Sequence, residues 1–286
     1  MTSLRYKMMQ GFLRATRFRF RMLRDAKINN PRYTTPRGNT AKRYTRTEFE
    51  GHAVWTVHPK SGPTERVYVH EHGGGYVYAI TDVHWGPIAE LAEQAGITII
   101  MPEYPLPPVS TTDIHDWACR HYASVSQTYG AENVWLGGDS AGGNLALVIA
   151  QKLAGSEAAP RNPLVLWSPW VNLTPLESIS KDDDYEALIT PYGLEPAVSQ
   201  YAPNWDRTNP LISPTFADLS TLPAMHIITG GRDILHPQIM EFSAKLKAAG
   251  KLAGEIIAHE YGHYWMFYPV PDRHKTLRQI ADILRA

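Results

Sequence analysis

The sequence predicts an α/β domain whose mostly parallel central sheet is flanked by helices. Short apolar runs alternate with helical stretches along most of the chain, the rhythm of repeated strand–helix–strand units. Glycine-rich turns close several of the apolar runs, at the strand ends where such sheets keep their chemistry. The chain has 286 residues, 43% of them apolar, enough to bury one large core.

Taken in order, strands are expected at 66–70, 98–101, 133–137, 164–167, 225–231 and 255–259. Helices are expected at about 86–94, 112–129, 143–153, 237–249 and 273–286. In the stretch 237–249, Ile239, Met240, Phe242, Leu246 and Ala249 recur at helical spacing. From about 169 to 207 the rhythm breaks. Prolines, tyrosines, Trp170, Trp205 and the acidic run Asp182-Asp183-Asp184 stand there instead. That segment is either a lid or a decorated surface loop.

The chemistry concentrates in four places. Gly138-Asp139-Ser140-Ala141-Gly142 lies between an expected strand and an expected helix. A serine there sits on a sharp turn, with the helix N-terminus aimed at developing negative charge. His72-Gly73-Gly74-Gly75-Tyr76 follows the strand at 66–70. Its consecutive glycines leave backbone N–H groups uncovered, so the loop can present donors to an oxyanion. Asp233 stands just past the strand 225–231, and His263 follows the strand 255–259. Ser140, Asp233 and His263 therefore occur in the chain order of a hydrolase triad.

These motifs resemble those of the hormone-sensitive-lipase-like branch of the α/β-hydrolase fold, the bacterial family IV esterases. The resemblance covers about 66–285 and includes Asn209-Pro210-Leu211-Ile212-Ser213-Pro214 and Leu222-Pro223-Ala224. It implies that the N–H groups of Gly74, Gly75 and Ala141 form the oxyanion hole, and that His72 braces the loop. It implies a lid at 169–207 and an N-terminal segment that helps cap the site. Family members often pair through a sheet edge, which would make a homodimer. One departure is Tyr104-Pro105-Leu106-Pro107-Pro108-Val109, which stands where the family has Tyr-Arg-Leu-Ala-Pro-Glu.

A competing motif is His259-Glu260-Tyr261-Gly262-His263, which fits the zinc-protease pattern. That pattern works only on a helix, where both histidines share a face. Glu255-Ile256-Ile257 before it favours a strand and Gly262 interrupts it, so no metal is expected. Serine, histidine and aspartate suffice for acyl transfer without a cofactor. His70 and the remaining histidines are expected in loop packing, at the surface or in the core.

Lys and Arg number 28 and Asp and Glu 28, but the charge is lopsided. Residues 1–46 hold 13 Lys and Arg against Asp25 alone, a net +12, and the remainder carries −12. Leu4, Met8, Phe12, Phe18 and Met22 punctuate a basic, helix-like stretch, within which Arg17-Phe18-Arg19-Phe20-Arg21 alternates like a strand. Three uses remain open: part of a cap, weak contact with an anionic membrane surface, or docking on a second subunit. Nucleic acid is not an expected partner, because the body is acidic and holds no recognised module. No stretch approaches the roughly 20 apolar residues of a membrane span. The single Cys119 rules out an internal disulfide framework and suits a reducing, cytoplasmic setting.

The expectation is a basic N-terminal segment, 1–46, on a catalytic domain, 47–286. Its activity would be hydrolysis of short-to-medium acyl esters through Ser140. A small-molecule amidase, formamidase or deacetylase would use the same triad. A non-catalytic small-molecule receptor is the reading from outside the enzymes, and His263 argues against it. Trp170, Tyr185, Tyr192, Tyr201 and Trp205 suggest an apolar pocket.

Overall fold

The computed structural model describes residues 4–15, 33–174, 189 and 191–286. Its strands are β1 (Tyr44–Phe49), β2 (His52–Val57), β3 (Val67–Glu71), β4 (Thr98–Pro102), β5 (Val134–Asp139), β6 (Leu164–Trp167), β7 (Met225–Gly230) and β8 (Leu252–Ala258). They form one sheet in the order β1-β2-β4-β3-β5-β6-β7-β8. From β4 to β8 every pairing is parallel, whereas β2 runs antiparallel to both β1 and β4.

The helices longer than four residues are α1 (Leu4–Ala15), α2 (Asp82–Ala95), α3 (Thr111–Tyr129), α4 (Ala141–Lys152), α5 (Pro191–Tyr201), α6 (His236–Ala248) and α7 (Pro271–Arg285). Local chemistry sets several of their ends. Ser110 caps α3 by accepting from the Asp113 N–H, and Gly96, at φ 66°, closes α2 in the left-handed conformation.

Strands β3, β4, β5 and β6 are buried along their whole length. A parallel sheet covered on both faces has no solvent side, so its strands read as continuous apolar runs. One half of the core holds Trp117, Leu145 and Phe242 from α3, α4 and α6. The other holds Trp85 and Leu277 from α2 and α7, packed on Trp167.

All six expected strands are present, and the sheet also contains the hairpin β1–β2. The sequence hides β1 because Thr45, Arg46, Thr47 and Glu48 are all exposed, leaving no apolar alternation to detect. The strand runs through residue 46 and pairs along its length with β2.

The basic N-terminal stretch is helical over Leu4–Ala15. Its packing differs from its apolar pattern. Leu4, Met8 and Phe12 face solvent, while Tyr6, Gln10 and Leu13 are buried. The Tyr6 hydroxyl accepts from the Gly262 N–H at 2.7 Å, and its ring meets Tyr261 edge-on. A residue with a polar tip thus carries the packing. The alternation at 17–21 and the residues Phe18 and Met22 lie outside the described residues.

Candidate active site

Ser140 is the single residue between β5 and α4. Its backbone takes φ 53° and ψ −118°, a conformation costly to any residue but glycine. Hydrogen bonds from both sides hold it there. Its N–H donates to the Trp167 carbonyl at 2.9 Å, and its carbonyl accepts from Trp170 and Asn144. Small neighbours make the turn possible: a Cβ on Gly142 would stand 2.0 Å from the Glu71 carbonyl oxygen. The end of β3 and the start of α4 touch only because Gly142 has no side chain.

The loop after β3 turns on Gly74 and Gly75, with φ 129° and 62°. The Gly74 carbonyl accepts from Val77 and Tyr78, which closes the turn. Ala141 begins α4, so its N–H is among those a helix N-terminus leaves unpaired. His72 is buried, and its Nδ1 meets the Gly73 carbonyl at 2.8 Å. Burial pushes its pKa down to about 3, so the ring is neutral at ordinary pH. It stacks on Tyr104 at 4.2 Å, and the Tyr104 hydroxyl donates to the His72 carbonyl. The segment that departs from the family pattern therefore supplies a brace of its own.

Asp233 and His263 come from the loops after β7 and β8. Asp233 Oδ2 lies 2.8 Å from His263 Nδ1, and both side chains are fully buried. The Leu235 N–H donates to the other carboxylate oxygen at 2.8 Å, fixing its plane. His263 and Ser140 wall one small cavity of about 10 Å³ with Trp167, Tyr264 and Phe267. His259-Glu260-Tyr261-Gly262-His263 follows β8 as a turn and loop, so its histidines share no helix face. Among the described residues no group of three or more His, Cys, Asp or Glu side chains is arranged to hold a metal ion.

Behind the serine lies a network the sequence does not reveal. Asp139 Oδ1 lies 3.0 Å from His70 Nε2, accepts from the Gly73 N–H at 3.0 Å and stands 3.5 Å from His84 Nε2. His70 in turn meets the Tyr68 hydroxyl at 3.0 Å. His70 is therefore a partner of Asp139 rather than loop packing. Burial alone would raise the Asp139 pKa. Charge interaction with His84 and the hydrogen bond from His70 outweigh it and hold the carboxyl well below its ordinary range. The signal was present in Asp139, inside the serine pentapeptide, but its partners come from three other segments.

Five described residues other than glycine have a left-handed backbone: Glu50, Tyr76, Ser140, Ser168 and Tyr264. Tyr76 ends the glycine loop, and Ser140, Ser168 and Tyr264 line the cavity. Backbone strain is thus gathered at one place, as at functional sites generally. Of the aromatics between 169 and 207, Trp170 and Tyr201 are buried in the core. Tyr201 stacks on Tyr76 at 3.6 Å. Trp205 is partly buried against the same core, and Tyr185 and the Tyr192 side chain lie outside the described residues.

The sequence profile of the alpha/beta hydrolase fold family matches residues 68–267. The chain belongs to that family, within its hormone-sensitive-lipase-like branch of bacterial family IV esterases. It is 29% identical to a triacylglycerol lipase of Mycobacterium tuberculosis over 71% of this chain and 43% of that one. It is 25% identical to an esterase of Acinetobacter venetianus, over 79% of this chain and 76% of that one. It is 30% identical to hormone-sensitive lipase of Homo sapiens, over 50% of this chain and 14% of that one. The match therefore spans under half of the mycobacterial lipase and a small part of the human one. A putative esterase from Staphylococcus aureus has the same fold, with TM-score 0.82 and 23% identity over 94% of this chain and 91% of that one. No helix among the described residues is long and apolar enough to cross a membrane.

Proposed function

We propose that the protein is a serine carboxylesterase that hydrolyses short-to-medium acyl esters through an acyl-enzyme on Ser140. One observation carries this reading. A serine held at a strained strand-to-helix turn shares a cavity with a histidine whose far nitrogen is bound by a buried aspartate. The relatives named esterase and lipase support it.

Ser140 Oγ attacks the ester carbonyl carbon while His263 Nε2 takes its proton. Asp233 holds the Nδ1–H, which fixes the tautomer and stabilises the imidazolium. The carbonyl oxygen becomes an oxyanion and takes hydrogen bonds from the N–H groups of Gly74, Gly75 and Ala141. Loss of one such donor costs about 3–4 kcal/mol. The intermediate collapses, the ester C–O bond breaks, and the departing alcohol takes the proton from His263. Water then gives its proton to His263 and attacks the acyl carbon. The second collapse releases the acid and returns the proton to Oγ.

Helices α1 and α5 belong to the cap in this reading. Tyr6 of α1 binds the Gly262 N–H beside His263, and Tyr201 of α5 stacks on the residue that ends the glycine loop.

The test is hydrolysis of p-nitrophenyl esters from acetate to palmitate, with Ser140→Ala as control. Serine-dependent turnover peaking at short chains is expected. Full activity in Ser140→Ala would overturn the mechanism, and p-nitroanilides in the same assay separate an esterase from an amidase.

A further inference from the structure

Tyr264 directly follows His263, and neither the triad nor the oxyanion hole employs it. Its backbone is left-handed, φ 59° and ψ 10°, which is uncommon for a bulky residue. The ring is held edge-on against His263 at 4.5 Å and packs near Phe267 and His84. Its hydroxyl points inward. A Cβ on Gly73 would lie 2.2 Å from that hydroxyl and 2.1 Å from Asp139 Oδ2. The first glycine of the loop is thus bare where the phenol and the carboxylate approach each other.

The Tyr264 hydroxyl also interacts with Ser140, so the nucleophile has two neighbours, His263 and Tyr264. Asp139 is asymmetric in the same sense. Its Oδ1 is bound by His70 and Gly73, while its buried Oδ2 is left to the tyrosine, whose hydroxyl hydrogen-bonds the carboxylate. Burial holds the phenol pKa well above its ordinary value, so the hydroxyl stays protonated and serves as a hydrogen-bond donor rather than a base.

We propose that Tyr264 is a further catalytic residue, whose hydroxyl moves its hydrogen bond from Asp139 Oδ2 to Ser140 Oγ as the acyl-enzyme breaks down. This rests on the acyl-enzyme mechanism proposed above. In the resting protein the phenol proton lies toward the carboxylate, and the phenol oxygen receives the Ser140 hydroxyl. Once Ser140 is acylated it has no proton. Water adds to the acyl carbon, the bond from that carbon to Oγ breaks, and negative charge grows on Oγ. The phenol then donates to Oγ while His263 returns the proton that it took from water. The phenol keeps its own proton, so the overall reaction is unchanged. Asp139 accepts the hydrogen bond again when the serine is restored.

The variant to make is Tyr264→Phe, which keeps the ring and removes one oxygen. Acylation and acyl-enzyme breakdown are followed separately by stopped-flow with p-nitrophenyl acetate, and Ser140 labelling is followed with a fluorophosphonate. Breakdown is expected to slow by about tenfold, the scale of one lost hydrogen bond. Acylation and labelling are expected to stay within about twofold, so kcat and KM fall together and kcat/KM holds. A thermal midpoint near that of the parent shows that the fold is intact. Unchanged breakdown would overturn the proposal, as would equal slowing of both steps. If the parent chain forms no acyl-enzyme at all, the esterase reading falls as well, which separates the two failures.

Discussion

Two carboxyl groups sit fully buried at the ends of neighbouring strands, Glu71 on β3 and Asp139 on β5, and they behave in opposite ways. Asp139 is surrounded by donors: His70, the Gly73 N–H and nearby His84. It keeps its charge far below the usual pH range. Glu71 has no hydrogen-bond partner at either oxygen, and burial pushes its pKa up to about 8. Both lie within a few residues of the serine turn and the glycine loop. Burial therefore does not decide the state of a carboxyl here; the donors within reach do. Asp139 is a fixed anion that organises the loop, whereas Glu71 is a neutral acid filling space beneath it.

Asp139→Ala should break the comparison most severely. It removes the anion while leaving His70 and the Gly73 N–H buried, which costs about 3–5 kcal/mol when one partner of a buried pair is lost. Urea unfolding checks the stability, and ester turnover should drop as the glycine loop loses its anchor. Unchanged stability would mean that the histidines do not depend on the carboxylate.

Glu71→Gln sharpens the comparison from the other side. A carboxyl whose pKa rises on folding contributes stability below its unfolded value, near 4.5, and loses it as pH rises to about 8. The parent should therefore weaken relative to Glu71→Gln across that window, by as much as about 1.4 kcal/mol per pH unit. Thermal midpoints of both proteins at pH 5 and 8.5 give the answer. A constant difference would mean that Glu71 is already ionised at pH 5.

Asp139 has the reverse sign. Its contribution is present above the unfolded value, near 3.8, and is lost as pH falls through the depressed folded pKa. The stability gap between the parent and Asp139→Asn should narrow below about pH 4, as acid titrations of both would show. Tyr104→Phe should give the smallest effect, about 1 kcal/mol for the hydrogen bond to the His72 carbonyl. Denaturant midpoints measure it.

The contrast also shows what the sequence can carry. Ser140 and the glycine loop were legible because each motif is contiguous and its strand–turn–helix context is local. Asp233 and His263 were legible through their place after apolar strands. The Asp139 network was not, since Tyr68, His70, Gly73, His84 and Tyr264 meet only once β3, α2 and the loop after β8 are assembled. The hairpin escaped for a different reason: β1 lies at the sheet edge and buries too little to leave a pattern. On α1 the apolar residues that mark the stretch face outward, so periodicity points away from the packed face.

Asn144 on α4 has a consequence of another kind. Its amide donates to the carbonyls of Trp170 and Ile212, at 2.8 and 2.9 Å, and accepts from the Tyr76 hydroxyl. Nearby, the Leu173 N–H donates to Ser213 Oγ and the Thr215 N–H to the Val171 carbonyl. The stretches at 170–173 and 212–215 are thus fastened to each other and, through Asn144, to the first turn of α4, where that helix leaves the serine turn. The chain between two such fixed points closes a loop, and lengthening a closed loop is cheap, since doubling it costs only about 0.6 kcal/mol. Residues can therefore be inserted between these points while the serine turn stays as it is, provided that Tyr201 keeps its place on Tyr76.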